Sequence, residues 1–219
     1  MLKLADIIRE SAELQEFQVE GFDLDEFLSI TTYAGQVRYA GDKLRRIASG
    51  SARIIYEIDE YTVLKLAKNR KGIAQNKVEA DIGTEDYFED ILARVLEADK
   101  KDRWIVMERA KKISKGKFKS LMDGIDMRDF QYYLRKKTEF DRYDFFDVNP
   151  DAEEKLDENE FAQSLVELIE NYDLHVGDFG RPSSFGEIKG RLVLTDYGLN
   201  KQVYRQYYDW NRHRRPQFA

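Results

Sequence analysis

The stretch Tyr172–Asn200, YDLHVGDFGRPSSFGEIKGRLVLTDYGLN, sets the strongest limit on what this chain can fold into. It holds three aspartates, Asp173, Asp178 and Asp196, each at the edge of an apolar run. The pattern predicts a loop, a β-hairpin and a second loop. Asp173 falls where a preceding helix would end, and Asp178 where the first hairpin strand would begin. Asp196 follows the second strand, Leu192–Thr195, and Pro182-Ser183-Ser184 is expected near the hairpin tip. Carboxylates gathered this way suit divalent-metal and phosphate chemistry. Mg²⁺ takes hard oxygen ligands and usually keeps substrate phosphates among them.

The rest of the chain narrows the choice by exclusion. Its 219 residues suit one large domain or two lobes sharing a cleft. There is no cysteine, which removes disulfides, thiolate metal sites and cysteine nucleophiles. With His175 and His213 as the 2 histidines, a multi-histidine zinc site is excluded as well. The net charge of −6 argues against bulk nucleic-acid binding by a basic surface. The exception, Arg212–Arg215, reads as a solvated basic tail end or as the footing of a minor nucleic-acid reading. The N-terminal residues carry acids and lack a continuous apolar core, so a signal peptide is not expected. No run is long enough to span a bilayer, and the cytoplasm is the default location.

Taken in order, Leu2–Phe17 reads as an amphipathic helix, and Leu24–Ile30 suggests a second short element. Ala52–Ile58 and Thr62–Ala67 are apolar and β-branched and predict two strands joined at Asp59-Glu60. Before them lies Ala48-Ser49-Gly50-Ser51, small residues that let backbone N–H groups approach a phosphate, or an ordinary turn. Lys65 sits within the second strand, with Val63 and Ala67 on its own face. It is either snorkelling to an edge or held for an anion. The following polar segment places Ile73, Val78 and Ile82 at helical spacing and bears Glu79, which could pair with Lys65. Two more strands are expected at Ala93–Ala98 and Trp104–Met107, then a polar exit segment. Beyond Lys115 the reading is helical: Phe118–Met122, Met127–Leu134, a connector at Phe140–Val148, and a helix started by Asn149-Pro150. Asp157-x-x-Glu160 resembles a capping box for the helix carrying Phe161, Leu165, Leu168, Ile169 and Tyr172.

This order of small-residue loop, strand Lys65, helix Glu79, strand pair, Val106–Ala110, helix, aspartate loop, hairpin and Asp196-Tyr197-Gly198 resembles the protein-kinase-like superfamily. The loop Asp173–Asp178 looks most like that of aminoglycoside-phosphotransferase-type and related small kinases. Lys71–Asn76 also resembles phage-encoded kinase-like proteins. The resemblance implies an α+β, two-lobed fold with an antiparallel-sheet N-lobe and a reduced, mainly helical C-lobe. Its parts would be an N-terminal helical extension over 1–46, a nucleotide-binding lobe over 47–110, and the catalytic and metal loops and tail over 111–219. It further implies ATP and Mg²⁺ as cofactors. Gly50 and Ser51 would cover the phosphates, Lys65 would contact them, and Glu79 would hold Lys65. Backbone groups near Glu108 and Ala110 would hold adenine. Asp173 would orient or deprotonate an acceptor hydroxyl, while Asp178 and Asp196 would bind the metal.

The chain also departs from that family's pattern. Its loop has Gly50 where the family has three glycines, Asp178 stands where the family has asparagine, and Tyr197 replaces phenylalanine. About twenty residues follow Gly198, so the large helical subdomain that binds protein substrates in eukaryotic-type kinases is not expected. Two assignments of the aspartates stay open. In one, Asp173 is catalytic; in the other, Asp178 is catalytic and Ser183 or Ser184 takes the metal position. Two functions stay open as well: an ATP-dependent phosphotransferase with an unidentified acceptor, or a pseudokinase kept as a binding or structural module, for instance in a phage particle. In the second, the N-terminal helix and the tail (Tyr204, Tyr207, Tyr208, Trp210, Arg212–Arg215) would contact a protein partner.

Overall fold

Apolar and β-branched runs give this chain its first sheet. The computed structural model describes residues 21–139 and 148–209. The expected helix Leu2–Phe17, most of the connector Phe140–Val148, and Trp210 and Arg212–Arg215 of the tail lie outside them. Two compact units form, one from residues 21–80 and 94–109 and the other from 81–93 with the described residues beyond 109. The architecture is the two-lobed α+β arrangement that the sequence implied: an antiparallel sheet in the first unit and a largely helical second unit.

The first unit opens with α1 (Leu24–Ser29) and α2 (Tyr33–Lys43), capped by Asp23 and Thr32 side chains that accept from Glu26 and Gly35 N–H. The strands are β1 (Arg45–Ser49), β2 (Arg53–Glu57), β3 (Thr62–Ala67), β4 (Val95–Ala98) and β5 (Trp104–Glu108). They pair antiparallel in the order β1-β2-β3-β5-β4. Helix α3 (Arg70–Gly83) lies between β3 and β4 in the chain. Register puts Tyr56, Leu64 and Val106 side by side, with Leu66 beside Trp104. On this face the five pack with Phe27, Ala40 and Leu44 in one core. Each such large side chain contributes about 1.5–3 kcal/mol on burial. The opposite face carries Arg53, Ile55, Lys65 and Ala67, since direct partners across an antiparallel pair share a face.

Two elements here differ from expectation. The strand beginning at Arg53 is the second, not the first: Arg45–Ser49 precedes it as an edge strand with a bulge at Ile47. Its two arginines and exposed edge hide it from a search for apolar runs. In α3 the buried residues are Gly72, Gln75, Asn76, Glu79, Ile82 and Gly83; of the three apolar residues at helical spacing Ile82 is buried as expected, while Ile73 and Val78 are half-buried. The helix meets β2 and β3 through the polar atoms of Asn76 and Glu79, so hydrophobic periodicity finds its end at Ile82 but not the rest of the buried face.

The second unit comprises β6 (Lys111–Lys112), α4 (Lys115–Leu121), α5 (Met127–Thr138), α6 (Pro150–Asp157), α7 (Glu160–Tyr172), β7 (Phe185–Ile188), β8 (Arg191–Leu194) and α8 (Lys201–Tyr207). Phe118, Phe130 and Phe185 form an aromatic cluster with ring centroids 5.3–6.0 Å apart. The three strands pair in the order β6-β7-β8. The hairpin tip is Lys189-Gly190, both at positive φ (50° and 84°), which a two-residue hairpin turn of the mirror-image type requires. Pro182-Ser183-Ser184 is therefore not at the tip; it forms a 3₁₀ turn immediately before β7. Asp178 likewise does not begin a strand but sits in the 3₁₀ turn Val176–Gly180. Helix α6 starts at Asn149-Pro150 as expected, with the Asn149 side chain accepting from Asp151 N–H. The capping residue of α7 is Asn159, whose side chain accepts from Ala162 N–H. Asp157 instead ends α6 and accepts from the Tyr133 hydroxyl at 2.9 Å. Among the described residues, no helix is long and apolar enough to cross a membrane.

Candidate functional site

The chemistry of the first unit is concentrated on the α3 side of the sheet. Lys65 and Arg53 point the same way from neighbouring strands, diagonal to one another. Both reach Glu79, which has no exposed surface. Lys65 Nζ lies 2.9 Å from Glu79 Oε2. Arg53 holds the same carboxylate with two hydrogen bonds, Nη1 to Oε2 at 2.7 Å and Nη2 to Oε1 at 3.0 Å. Arg53 Nη1 also donates to Asn76 Oδ1 at 3.4 Å, and Asn76 Nδ2 donates to the Asp102 carbonyl at 3.0 Å. Lys65 is 3% exposed and Arg53 7%, so the snorkelling alternative for Lys65 does not hold. Sequence reasoning missed Arg53 and Asn76. The available signal was Arg53's place in the strand pattern, two residues from the position opposite Lys65.

The turn with Gly50 and Ser51 is tied to the start of α3. The Ser51 carbonyl accepts from Asn69 Nδ2 at 2.9 Å, and its hydroxyl accepts from Lys71 Nζ at 2.8 Å. Asn69 also caps the helix, its Oδ1 accepting from Gly72 N–H. The Gly50 N–H bonds the Arg53 carbonyl, and its own carbonyl accepts from Lys68 Nζ. A Cβ on Gly50 would meet nothing within 4 Å, so this glycine answers no need of the chain's own packing. At the end of β5, the N–H of Glu108 donates to the Arg94 carbonyl and that of Arg109 to the Tyr61 carbonyl. The Glu108 carboxylate accepts from Arg94 N–H. Ala110, in the second unit, lies against Gly186: a Cβ on that glycine would fall 2.4 Å from the Ala110 Cβ.

In the second unit, α7 ends on Asp173 in the left-handed conformation (φ 53°, ψ 41°), which aspartate tolerates better than most residues. Its carboxylate is 58% exposed and lies 2.7 Å from Lys201 Nζ. The segment 173–175 pairs with 199–201 through Lys201 N–H to the Asp173 carbonyl and His175 N–H to the Leu199 carbonyl. His175 stacks on Tyr204 at 4.0 Å, and its buried Nδ1 has no hydrogen-bond partner. Burial pushes its pKa below the ordinary histidine value; Arg135 and Lys201 push the same way and Glu139 opposes them.

Asp178 and Asp196 are joined through a residue between them in sequence. The Ser184 hydroxyl donates to the Asp178 carbonyl at 2.6 Å. The Ser184 carbonyl accepts from Thr195 N–H at 2.8 Å and Asp196 N–H at 3.4 Å. Ser184, 1% exposed, thus brackets the backbones of the two acidic residues. The Asp178 carboxylate is ion-paired with Arg181. Tyr197 is buried, and its hydroxyl donates to the Ala93 carbonyl at 2.8 Å, a bond that phenylalanine could not make.

These residues suit a magnesium–nucleotide complex in donor type. Among the described residues no three His, Cys, Asp or Glu side chains gather as a metal site. Two hard-oxygen donors fit Mg²⁺ only if nucleotide phosphates and water supply the other ligands, which is how this ion is usually bound. Arg181 would have to yield or share Asp178.

No protein-family model and no curated protein sequence matches this chain. Among solved structures, the gentamicin–APH(2'')-IIa complex is 15% identical, with a TM-score of 0.37, covering 90% of this chain and 71% of that one. The ADP-bound aminoglycoside phosphotransferase APH(2'')-Ib is 14% identical, with a TM-score of 0.37 and coverage of 77% and 71%. SAICAR synthase from Saccharomyces cerevisiae, complexed with SAICAR, is 14% identical, with a TM-score of 0.31 and coverage of 70% and 73%. The likeness is distant and singles out no one family for this chain.

Proposed function

We propose that this protein is an ATP-dependent phosphotransferase that moves the γ-phosphoryl group to a hydroxyl acceptor. The observation that carries the reading is the buried Lys65–Glu79 ion pair on the α3 side of the sheet. Burying a lysine and a glutamate together seldom adds stability over an apolar pair of the same size, so the pair asks for another use. Holding an ammonium for nucleotide phosphates is such a use, because phosphoryl transfer is catalysed mainly by positioning and charge neutralisation. In this reading Lys65 contacts the phosphates and Glu79 orients it. Asp196 and Asp178, bracketed by Ser184, supply the carboxylates for magnesium and the acceptor. Bound Mg²⁺ would neutralise phosphate charge.

Two assignments of the catalytic aspartate follow. Asp173 serves in the first, with Asp178 and Asp196 on the metal; Asp178 serves in the second. The second is favoured by the place of Asp178 in the turns leading directly into β7; ion pairing does not separate the two, since Asp173 pairs with Lys201 and Asp178 with Arg181. The test is Mg²⁺-dependent ATP turnover in Asp173→Asn, Asp178→Asn and Asp196→Asn. Loss of at least about 100-fold is expected at Asp178 and Asp196. A loss of that size at Asp173 too selects the first assignment. Equal turnover in all four proteins overturns the enzyme reading.

A pseudokinase is the second reading. Its support is the turn at Gly50, fastened through its own carbonyl to Lys68, and the engaged N–H groups of Glu108 and Arg109. Thermal shift separates the two: ATP with Mg²⁺ should raise the melting temperature of a phosphotransferase, and no shift at millimolar nucleotide favours the binding module.

A further inference from the structure

The carboxylate of Glu79 is shared unequally. Arg53 engages both of its oxygens, whereas the Lys65 hydrogen bond goes to Oε2, the oxygen that Arg53 Nη1 also holds. Two-point guanidinium–carboxylate bonding fixes direction as well as distance; a single ammonium contact fixes neither as firmly. Arg53 begins β2, and next to it the chain is fastened to α3 at further points. Asn69 and Lys71 bond Ser51, and Lys68 N–H bonds the Ala52 carbonyl. Gly72 lies so close that a Cβ there would be 2.2 Å from the Ala52 carbonyl oxygen. One turn further along, Asn76 joins Arg53 to the Asp102 carbonyl. These contacts all lie within the first unit.

We infer that Arg53 is a positioning residue: it holds Glu79 and α3 against the sheet without help from Lys65, so that Lys65 can turn to an anionic ligand while Glu79 keeps its partner. The physical reason is the cost of a buried charge left alone. If Lys65 were the sole partner, drawing its ammonium towards phosphate would strand a fully buried carboxylate, and the ligand would have to offset that loss. With Arg53 in place, Glu79 retains two charge-assisted hydrogen bonds as Lys65 moves. The helix then needs no separate step to bring Glu79 into position. The part of this inference that concerns the ligand rests on the phosphotransferase reading; the part that concerns the helix does not.

Two measurements on the full chain separate those parts. The first is amide hydrogen exchange across Arg70–Ala80 in the absence of nucleotide, for wild type, Arg53→Met and Lys65→Met. Arg53→Met should speed exchange in this segment at least about tenfold, and Lys65→Met should leave it within about twofold of wild type. Exchange raised equally by both variants, or by Lys65→Met alone, overturns the inference whatever the protein's activity. The second is the affinity for ATP with Mg²⁺. Arg53→Met should weaken it by about ten- to hundredfold, the factor that corresponds to losing a charged hydrogen bond. Arg53→Lys should restore part of the loss, since lysine keeps the charge but lacks the fork. Unchanged affinity in Arg53→Met, beside wild type that binds, overturns the inference. Failure of wild type to bind overturns the proposed function and leaves the exchange result to decide the role of Arg53. If Arg53→Met does not fold, Arg53→Lys carries both measurements, with smaller changes of the same sign expected and none counting against the role.

Discussion

Glu79 accepts hydrogen bonds from two cations, Arg53 and Lys65, with no surface exposed to water. Removing it leaves both buried charges without their shared partner. Glu79→Ala should therefore cost about 3–5 kcal/mol, read from the urea midpoint of the purified chain. A cost below about 1 kcal/mol would mean that water reaches the cluster and that the burial argument fails. Gly72 gives a test in which two effects have opposite signs. On a free helix, Gly→Ala stabilises by about 1 kcal/mol. Here the new Cβ would lie 2.2 Å from the Ala52 carbonyl oxygen and 3.0 Å from Ala67 Cα, backbone atoms that cannot swing aside. Gly72→Ala should lower stability by about 1–3 kcal/mol, the usual cost of overpacking, and a raised melting temperature would show that α3 is free to lift from β2.

At the scale of elements, apolar pattern decided what the sequence could reveal. β2, β3, β5 and α7 were legible because apolar residues dominate them, in near-continuous runs in β3 and β5 and at helical spacing in α7, with Arg53, Thr62 and Lys65 as the buried polar exceptions. β1 was not, since Arg45 and Arg46 dilute an edge strand, and the buried face of α3 was legible only at Ile82, since Gln75, Asn76 and Glu79 line the rest. The Lys65–Glu79 contact could be anticipated from one charged residue in an apolar strand, whereas Arg53 stands at a strand end, where a charge looks ordinary. The bracket formed by Ser184 depends on a turn, and its serine carries no distinguishing pattern. The loop between α7 and α8 adds a prediction of its own. His175 is held below its usual pKa, mainly by burial, between Tyr204 and the charges of Glu139, Arg135 and Lys201. A depressed histidine pKa means that the unfolded chain takes up the proton first. Stability should thus be full above the unfolded value near 6.5 and fall as pH drops from there through the folded pKa. Thermal unfolding between pH 7.5 and about 5 should show that decline in wild type and a flatter profile in His175→Gln. Parallel profiles would remove His175 as the cause.

At the scale of the molecule, the chain does not fold as two consecutive pieces. The second unit takes in residues 81–93, which precede β4 and β5 of the first. That segment supplies an outer partner for β8: Ala93 N–H donates to the Leu194 carbonyl, and Leu194 N–H donates to the Ile91 carbonyl. The Ala93 carbonyl accepts from the Tyr197 hydroxyl, and Glu85 accepts from Tyr172 at 2.6 Å. Phe88, Ile91 and Leu92 are each no more than 4% exposed. At about 1.5–3 kcal/mol per large apolar side chain, their burial is comparable to the net stability of a whole domain. A fragment spanning residues 110–219 should therefore lack a cooperative thermal transition and show collapsed amide dispersion by NMR. Adding a peptide of residues 81–93 in excess should restore both in proportion to its concentration, because it binds only the folded form. Tyr172→Phe in the fragment should weaken that rescue by at most about 1 kcal/mol, by removing the exposed hydrogen bond to Glu85. A fragment that unfolds cooperatively without the peptide would show that α5 to α8 and the hairpin form a complete core by themselves, and that residues 81–93 only decorate it.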